Sequence, residues 1–239
     1  MIGGYHSSVG RPRAETWSAR YELTADQVVD TAVSLVARHG FKGVSMTRIA
    51  EELGVTTPAL YHHFADKREL LDRAADRIVS LIEQPPASAP WTERLRALIL
   101  DQERVFRRYP GTYRYLIDNP AAPARLRFMD IRLRILDEAG FTGVALARAF
   151  ATIAFFHTPE VLADDASVPD LDAVFSAANR SAAAGSVLGQ FPHVEKHIDL
   201  LLGMPYDEYF RLGLDELISA LAAGRREPAP RTAGPKKAR

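Results

Sequence analysis

"SMTRIAEELGVTTPALYHHF", Ser45 to Phe64, decides how this chain folds. Ile49, Ala50 and Leu53 recur at helical spacing, and Ser45 is placed to cap a helix that starts near Thr47. Gly54 stops that helix. A second helix restarts within two or three residues, with Pro58 in its first turn, where the missing N–H costs nothing. Only Leu60 and Phe64 of this second helix are spaced to bury themselves. The spacing predicts a helix, a tight turn and a helix of about two turns, a helix-turn-helix whose front is exposed.

That front carries Thr57, Pro58, Ala59, Tyr61 and His62 rather than Lys and Glu. The major groove of B-DNA, about 12 Å wide, admits one helix. Small residues such as Thr57 and Ala59 allow close approach to the groove floor and its thymine methyls. Tyr61 and His62 can reach the rims, where phosphates lie. Lys67, opening the next helix, adds a positive charge near that helix's free N–H groups. Spacing alone also leaves a protein–protein module open. Basic and acidic side chains are equal in number from Met1 to Lys67, so Asp26, Asp30, Glu51 and Glu52 must turn away from DNA.

Working outward, "LTADQVVDTAVSLVARHG" places Val28, Ala32, Leu35 and Val36 on one helix face. Thr24 and Gln27 are spaced as a capping box, and Gly40 ends the helix. After the helix-turn-helix, Asp66 caps a longer helix expected to reach Glu83, with Leu70, Leu71, Ala74, Ile78 and Leu81 buried. "QPPASAP", Gln84 to Pro90, breaks the pattern and marks a domain boundary. Helices are then expected at Trp91–Arg108, Thr112–Asp118, Ala124–Glu138, Gly143–Ala163 and Tyr206–Ala223. "VPDLDAVFSAAN" suggests a further short helix, and the following "SAAAG" looks irregular. The expected architecture is all-α, with a flexible arm over 1–22 and a DNA-binding domain over 23–84. A larger domain for ligand binding and dimerisation covers 90–223, and a disordered basic tail covers 224–239.

Two late helices are apolar on more than one side. Phe150 and Phe155 in the first, and Phe210, Leu214, Leu217 and Leu221 in the second, are read as a dimer surface, two helices from each subunit forming a four-helix bundle.

Composition adds bounds. The 239 residues include 47% hydrophobic and 25% charged side chains, ordinary for a globular protein, with formal net charge zero. Absence of cysteine excludes disulfides and thiol nucleophiles and suits a reducing cytoplasm. No apolar run approaches the roughly 18 residues of a membrane span, and "MIGGYHSSVGRPR" lacks a secretory core. The basic tail from Arg225 to Arg239 reads either as simply solvated or as a loose attractor of phosphate. His193 and His197 lie four apart but lack a third ligand, so no metal or other cofactor is expected. No phosphate-binding glycine loop and no G-x-S-x-G appear, so no enzyme is expected. Three functions stay open on the residues alone: a ligand-responsive repressor, a helical interaction module, and an enzyme built in the second domain.

The segment Leu23 to Asp72 resembles the DNA-binding domain of the TetR family of bacterial repressors. "GVTTPALYHHFADKRELL" has that family's Gly-Val, Leu-Tyr, His-Phe and Lys-x-x-Leu-Leu in register. The resemblance implies that Thr47, Arg48, Thr57, Pro58, Ala59, Tyr61, His62, His63 and Lys67 meet DNA, with Tyr61 and Lys67 on phosphates. It implies a homodimer that binds a palindromic operator and leaves it when a small molecule binds the C-terminal domain. Beyond Pro90 the likeness lies in helix order and length, and is to the tetracycline-repressor type of C-terminal domain. Candidate effector contacts are Phe106, Tyr113, Tyr115, Asn119, Phe128, Phe156 and His157. His157 leads them because it shares the face of Leu146, Phe150 and Ile153 and adjoins Pro159.

Overall fold

The computed structural model describes residues 23–156 and 204–225, together with His193, Lys196, His197 and Asp199. The calls on the arm, on His157, on the end of the Gly143–Ala163 helix and on the tail beyond Arg225 lie outside these residues. Among the described residues all regular structure is helical.

Local chemistry sets the helix ends. α1 runs Ala25–His39 behind a reciprocal cap. The Gln27 N–H donates to Thr24 Oγ1 at 3.2 Å, and the Thr24 N–H donates to Gln27 Oε1 at 2.9 Å. Gly40, at φ 65°, ends α1 and leads into a 3₁₀ turn, Phe41–Gly43. α2 spans Met46–Leu53, with Ser45 Oγ accepting from the Arg48 N–H at 3.1 Å. Gly54 closes it in the left-handed conformation that side chains resist. α3 spans Thr57–Leu60 and α4 spans Lys67–Val79. Asp66 caps α4 by accepting from the Glu69 N–H at 2.8 Å, while Glu69 accepts from the Ala65 N–H at 2.8 Å.

α4 ends earlier than its periodicity predicts. The backbone tightens after Val79, with Leu81 N–H bonded to Ile78 O and Ile82 N–H to Val79 O. Ile82, four residues beyond buried Ile78, continues the stripe of Leu70–Leu71, Ala74–Ala75 and Ile78–Val79 and is 3% exposed, while Leu81 falls to one side of it at 42%. The expectation that Leu81 is buried is corrected on this ground.

The second group of helices is α5 Trp91–Arg108, α6 Thr112–Asp118, α7 Pro123–Glu138, α8 Gly143–Phe156 and α9 Tyr206–Gly224. One hydrophobic core runs through both groups. Val28, Ala32, Leu35 and Val36 of α1, Ile49 of α2, Leu60, and Leu70, Ala74 and Ile78 of α4 are all fully buried. Each large side chain so buried contributes about 1.5–3 kcal/mol. α4 packs on α1 and also on α7, so the core does not stop at the proline-rich segment. Arg127 of α7 grips Asp76 of α4 with two bonds, at 2.7 and 3.1 Å.

The residues expected at the dimer surface differ in exposure within the single chain. Phe210 and Leu214 are buried within the single chain, at 8% and 0% exposure. Phe210 packs on Phe156 and Tyr206 at ring distances of 4.9 and 6.0 Å. Both side chains thus contribute to their own subunit's core. Phe150, Leu217 and Leu221 are half-buried against the same core. Phe155 does stand clear, at 77% exposed, with Val144 at 69% on α8 and Leu212 at 49% on α9. Spacing identified the apolar stripes, but it could not tell which stripe faces home.

Phe64 is 1% exposed and closes the core beneath the α2–α3 turn. Phe64→Ala should cost about 3–5 kcal/mol, read as a lower urea midpoint with little change in the slope.

Candidate nucleic-acid interface

Ile49, Leu60 and Phe64, each no more than 1% exposed, anchor α2 and α3 from below. Their burial fixes what faces out. Thr47, Arg48, Pro58, Tyr61, His62 and Lys67 are exposed, and Thr57, Ala59 and His63 are half-buried. The regular part of α3 is shorter than expected. Beyond Leu60 the chain continues as tight turns, with Tyr61 N–H on Pro58 O at 3.1 Å and His63 N–H on Leu60 O at 3.0 Å. These turns display Pro58, Tyr61 and His62 on a blunt tip, with Tyr61 51% exposed. Lys67 stands in the first turn of α4, and Asp66 beside it already holds the Glu69 N–H.

Arg48 is less available than its position suggests. Its guanidinium donates to Gly43 O at 2.7 Å, tying it to the entry of its own helix. Nearby acids are neutralised inside the molecule. Arg77 of α4 bonds Asp26 at 2.8 Å and Asp30 at 3.2 Å, and Arg38 bonds Glu52 at 2.9 Å. The Arg38 hydrogen bond holds the Glu52 carboxyl below its ordinary range. Pairing of this kind removes most of the repulsion that a net-neutral domain would offer to phosphate.

In the second domain, three of the sequence-derived effector contacts converge. Phe106 of α5, Tyr113 of α6 and Phe128 of α7 are 5%, 4% and 1% exposed, with ring centroids 5.5–5.9 Å apart. The Tyr113 hydroxyl donates to Ala154 O of α8 at 3.1 Å. One turn along, Arg132 of α7 lies over the Phe128 ring at 4.0 Å and donates to Gln102 Oε1 of α5 at 2.6 and 3.2 Å. Arg132 and Gln102 are 1% and 0% exposed, and sequence reading missed both. Four arginines punctuate this part of α7, and nothing local says which one is buried.

The other named residues lie elsewhere. Phe156 packs against Phe210 of α9. Tyr115 sits where α6 meets the first group of helices: its ring stacks on Phe41 at 4.4 Å, and its hydroxyl donates to Asp72 of α4 at 2.8 Å. Burial, helped by that bond to Asp72, pushes the phenol well above its ordinary range. Asn119 closes α6 by donating to Tyr115 O at 2.9 Å. The short α6 thus carries Tyr113 in the aromatic cluster and Tyr115 in the junction. His193 and His197 are exposed, and among the described residues no group of three or more metal-type side chains gathers. No helix among them is long and apolar enough to cross a membrane.

Comparison with known proteins matches this arrangement. Residues 28–74 match the model of bacterial regulatory proteins, tetR family. Residues 84–224 match that of the tetracyclin repressor-like C-terminal domain. The chain is 32% identical over 155 residues to the tetracycline repressor protein class C of Escherichia coli, covering 63% of this chain and 70% of that protein. It is 32% identical over 157 residues to the class A repressor from transposon 1721 in the same organism, covering 62% and 70%. Among solved structures it resembles the Streptomyces coelicolor TetR family protein ActR in complex with actinorhodin. There the TM-score is 0.69 at 25% identity, covering 86% of this chain and 98% of that one.

Two substitutions test the tip on a duplex bearing the chain's own upstream region. Tyr61→Phe should weaken binding about tenfold, the loss expected for a hydrogen bond to a charged group, with the oligomeric state unchanged. Lys67→Ala should lower the slope of log affinity against log salt by about one per subunit. Unchanged affinity and slope would remove both residues from the contact set.

Proposed function

The chain belongs to the TetR family of bacterial regulatory proteins, and from that premise we propose how this molecule carries out the family's work of ligand-responsive DNA binding. It is a DNA-binding regulator and not an enzyme. In the proposed reading it is a repressor in the cytoplasm, binding a palindromic operator as a homodimer and released by a small hydrophobic effector. Thr57, Pro58, Ala59, His62 and His63 approach the bases. Tyr61, Lys67 and Thr47 hold phosphates, and Arg48 joins them if it leaves Gly43. The observation that carries this reading is the blunt exposed tip, Pro58 to His62, standing on a fully buried Leu60.

Two-fold symmetry sets two such tips about 34–36 Å apart, one turn of DNA. The exposed apolar face of Val144, Phe155 and Leu212 is the part of the surface suited to pairing subunits. Phe106, Tyr113 and Phe128 supply an aromatic wall for the effector, and Phe156 and His157 remain proposed contacts. Tyr115 and Asn119 act instead as the link. A shift of α6 that moves Tyr113 also moves Tyr115, and with it Asp72 of α4 and Phe41 below α1. Gly40 adds to this seam: a Cβ there would stand 3.3 Å from Pro110 O, in the loop before α6. An effector that swings occupancy from 1:99 to 99:1 must favour one arrangement by about 5.5 kcal/mol.

Footprinting with purified protein, beginning with its own promoter, tests the proposal. A protected palindrome of one-turn spacing is expected, and no protection on any genomic fragment would favour an interaction module. Phe155→Asp should convert dimer to monomer in sedimentation and reduce operator affinity at least a hundredfold, because each half-site must then bind alone. Tyr115→Phe should leave operator binding in place while shrinking the effector-induced loss of affinity by about 0.5–2 kcal/mol.

A further inference from the structure

We propose that the open groove between the turn after α4 and the last turns of α5 is a second small-molecule site, which takes an aliphatic compound ending in a single carboxylate, with Arg108 holding that carboxylate. It uses none of the residues assigned above to DNA or to the effector, and it stands whether or not the regulatory reading does.

The groove has a volume of about 670 Å³, a size suited to a small molecule. Leu81, Arg104, Val105, Arg107, Arg108 and Tyr109 bound it. Arg104, Val105 and Arg108 share one face of α5, since Arg104 and Arg108 lie one turn apart and Val105 lies beside them. Phe106, two residues from either arginine, points to the opposite side of the helix, where it meets Phe128 and Tyr113. The groove and the aromatic cluster therefore lie on different sides of α5. Val105, 1% exposed, forms a floor, and Leu81 keeps 42% of its surface open beside it. An alkyl chain laid along the two would take that apolar surface out of water. The apolar lining is aliphatic apart from Tyr109, and the Arg108 guanidinium already lies over that ring at 5.8 Å.

Charge sets the head group. Arg104 is paired with Asp101 at 2.6 Å, and Arg107 with Glu103 at 2.7 Å and Asp207 at 3.1 Å. Arg108 is exposed and makes no ion pair among the described residues. A guanidinium grips a carboxylate through two parallel hydrogen bonds. One uncompensated cation matches a monoanion. A dianion such as a phosphate monoester fits less well, because the carbonyls ending α5 and the acids already on Arg104 and Arg107 repel a second charge.

The experiment titrates octanoate, octanol and octyl phosphate into the full-length protein by calorimetry. Octanoate should bind about tenfold more tightly than octanol, the gain from a hydrogen bond to a charged group, and more tightly than octyl phosphate. Arg108→Gln should erase the preference over octanol, leaving octanol binding and the thermal midpoint little changed. Leu81→Asn should weaken octanoate and octanol alike and keep the preference. Equal affinity for octanoate and octanol, no binding of octanoate, or tighter binding of octyl phosphate overturns the inference. A preference that survives R108Q, or octanoate binding indifferent to L81N, also overturns it, because the compound then sits elsewhere.

Discussion

The structure depends on one helix being shared by two cores. α4 buries Leu70–Leu71, Ala74–Ala75 and Ile78–Val79, adjacent pairs repeating every four residues. Pairs make a stripe wider than a surface helix needs, and the extra width is what allows α1 to pack on one side and α7 on the other. Its polar residues repeat the division. Arg77 reaches back to Asp26 and Asp30 of α1, while Asp72 and Asp76 receive Tyr115 of α6 and Arg127 of α7. Neither half of the molecule can reposition α4 without disturbing contacts in the other.

Much of the fold was legible in the sequence because its signals are local. Thr24, Ser45 and Asp66 cap helices by bonding to backbone three residues away, and Gly40 and Gly54 end helices by a conformation other residues avoid. The outward tip of α3 was legible for the same reason: once Leu60 and Phe64 are inward, Tyr61 and His62 have nowhere to go but out. What was not legible depends on partners distant in sequence. Phe210 and Leu214 form a true apolar stripe, but only the position of α9 in the fold shows that the stripe faces its own core. Tyr113 and Tyr115 are two residues apart and look alike, yet they serve opposite sides of α6. Leu81 lies three residues from Ile78 and Ile82 four, and both are apolar; only the position of α1 and α7 around α4 shows that the buried stripe runs through Ile82. The same limit applies to Arg132, whose burial is decided by Gln102 on another helix.

Charge shows how composition can mislead. A chain of zero net charge gives no electrostatic signal for a polyanionic partner. In the folded molecule several carboxylates of the DNA-binding half are taken up by arginines, including one from α4 and one from α1. Those pairs are exposed and add little stability. Their effect is on the field: they cancel acids beside a face where Lys67, Tyr61 and His62 remain exposed.

The contact of Gly40 with Pro110, beside the stack of Phe41 on Tyr115, bears on how such proteins can be recombined. The two segments are far apart along the gene and fit face to face in the fold. Grafting the first three helices onto another relative's sensor would transplant half of a joint without its mate. Chimeras cut at the proline-rich linker would thus be expected to hold together yet respond poorly, unless the loop before α6 travels with the transplanted head.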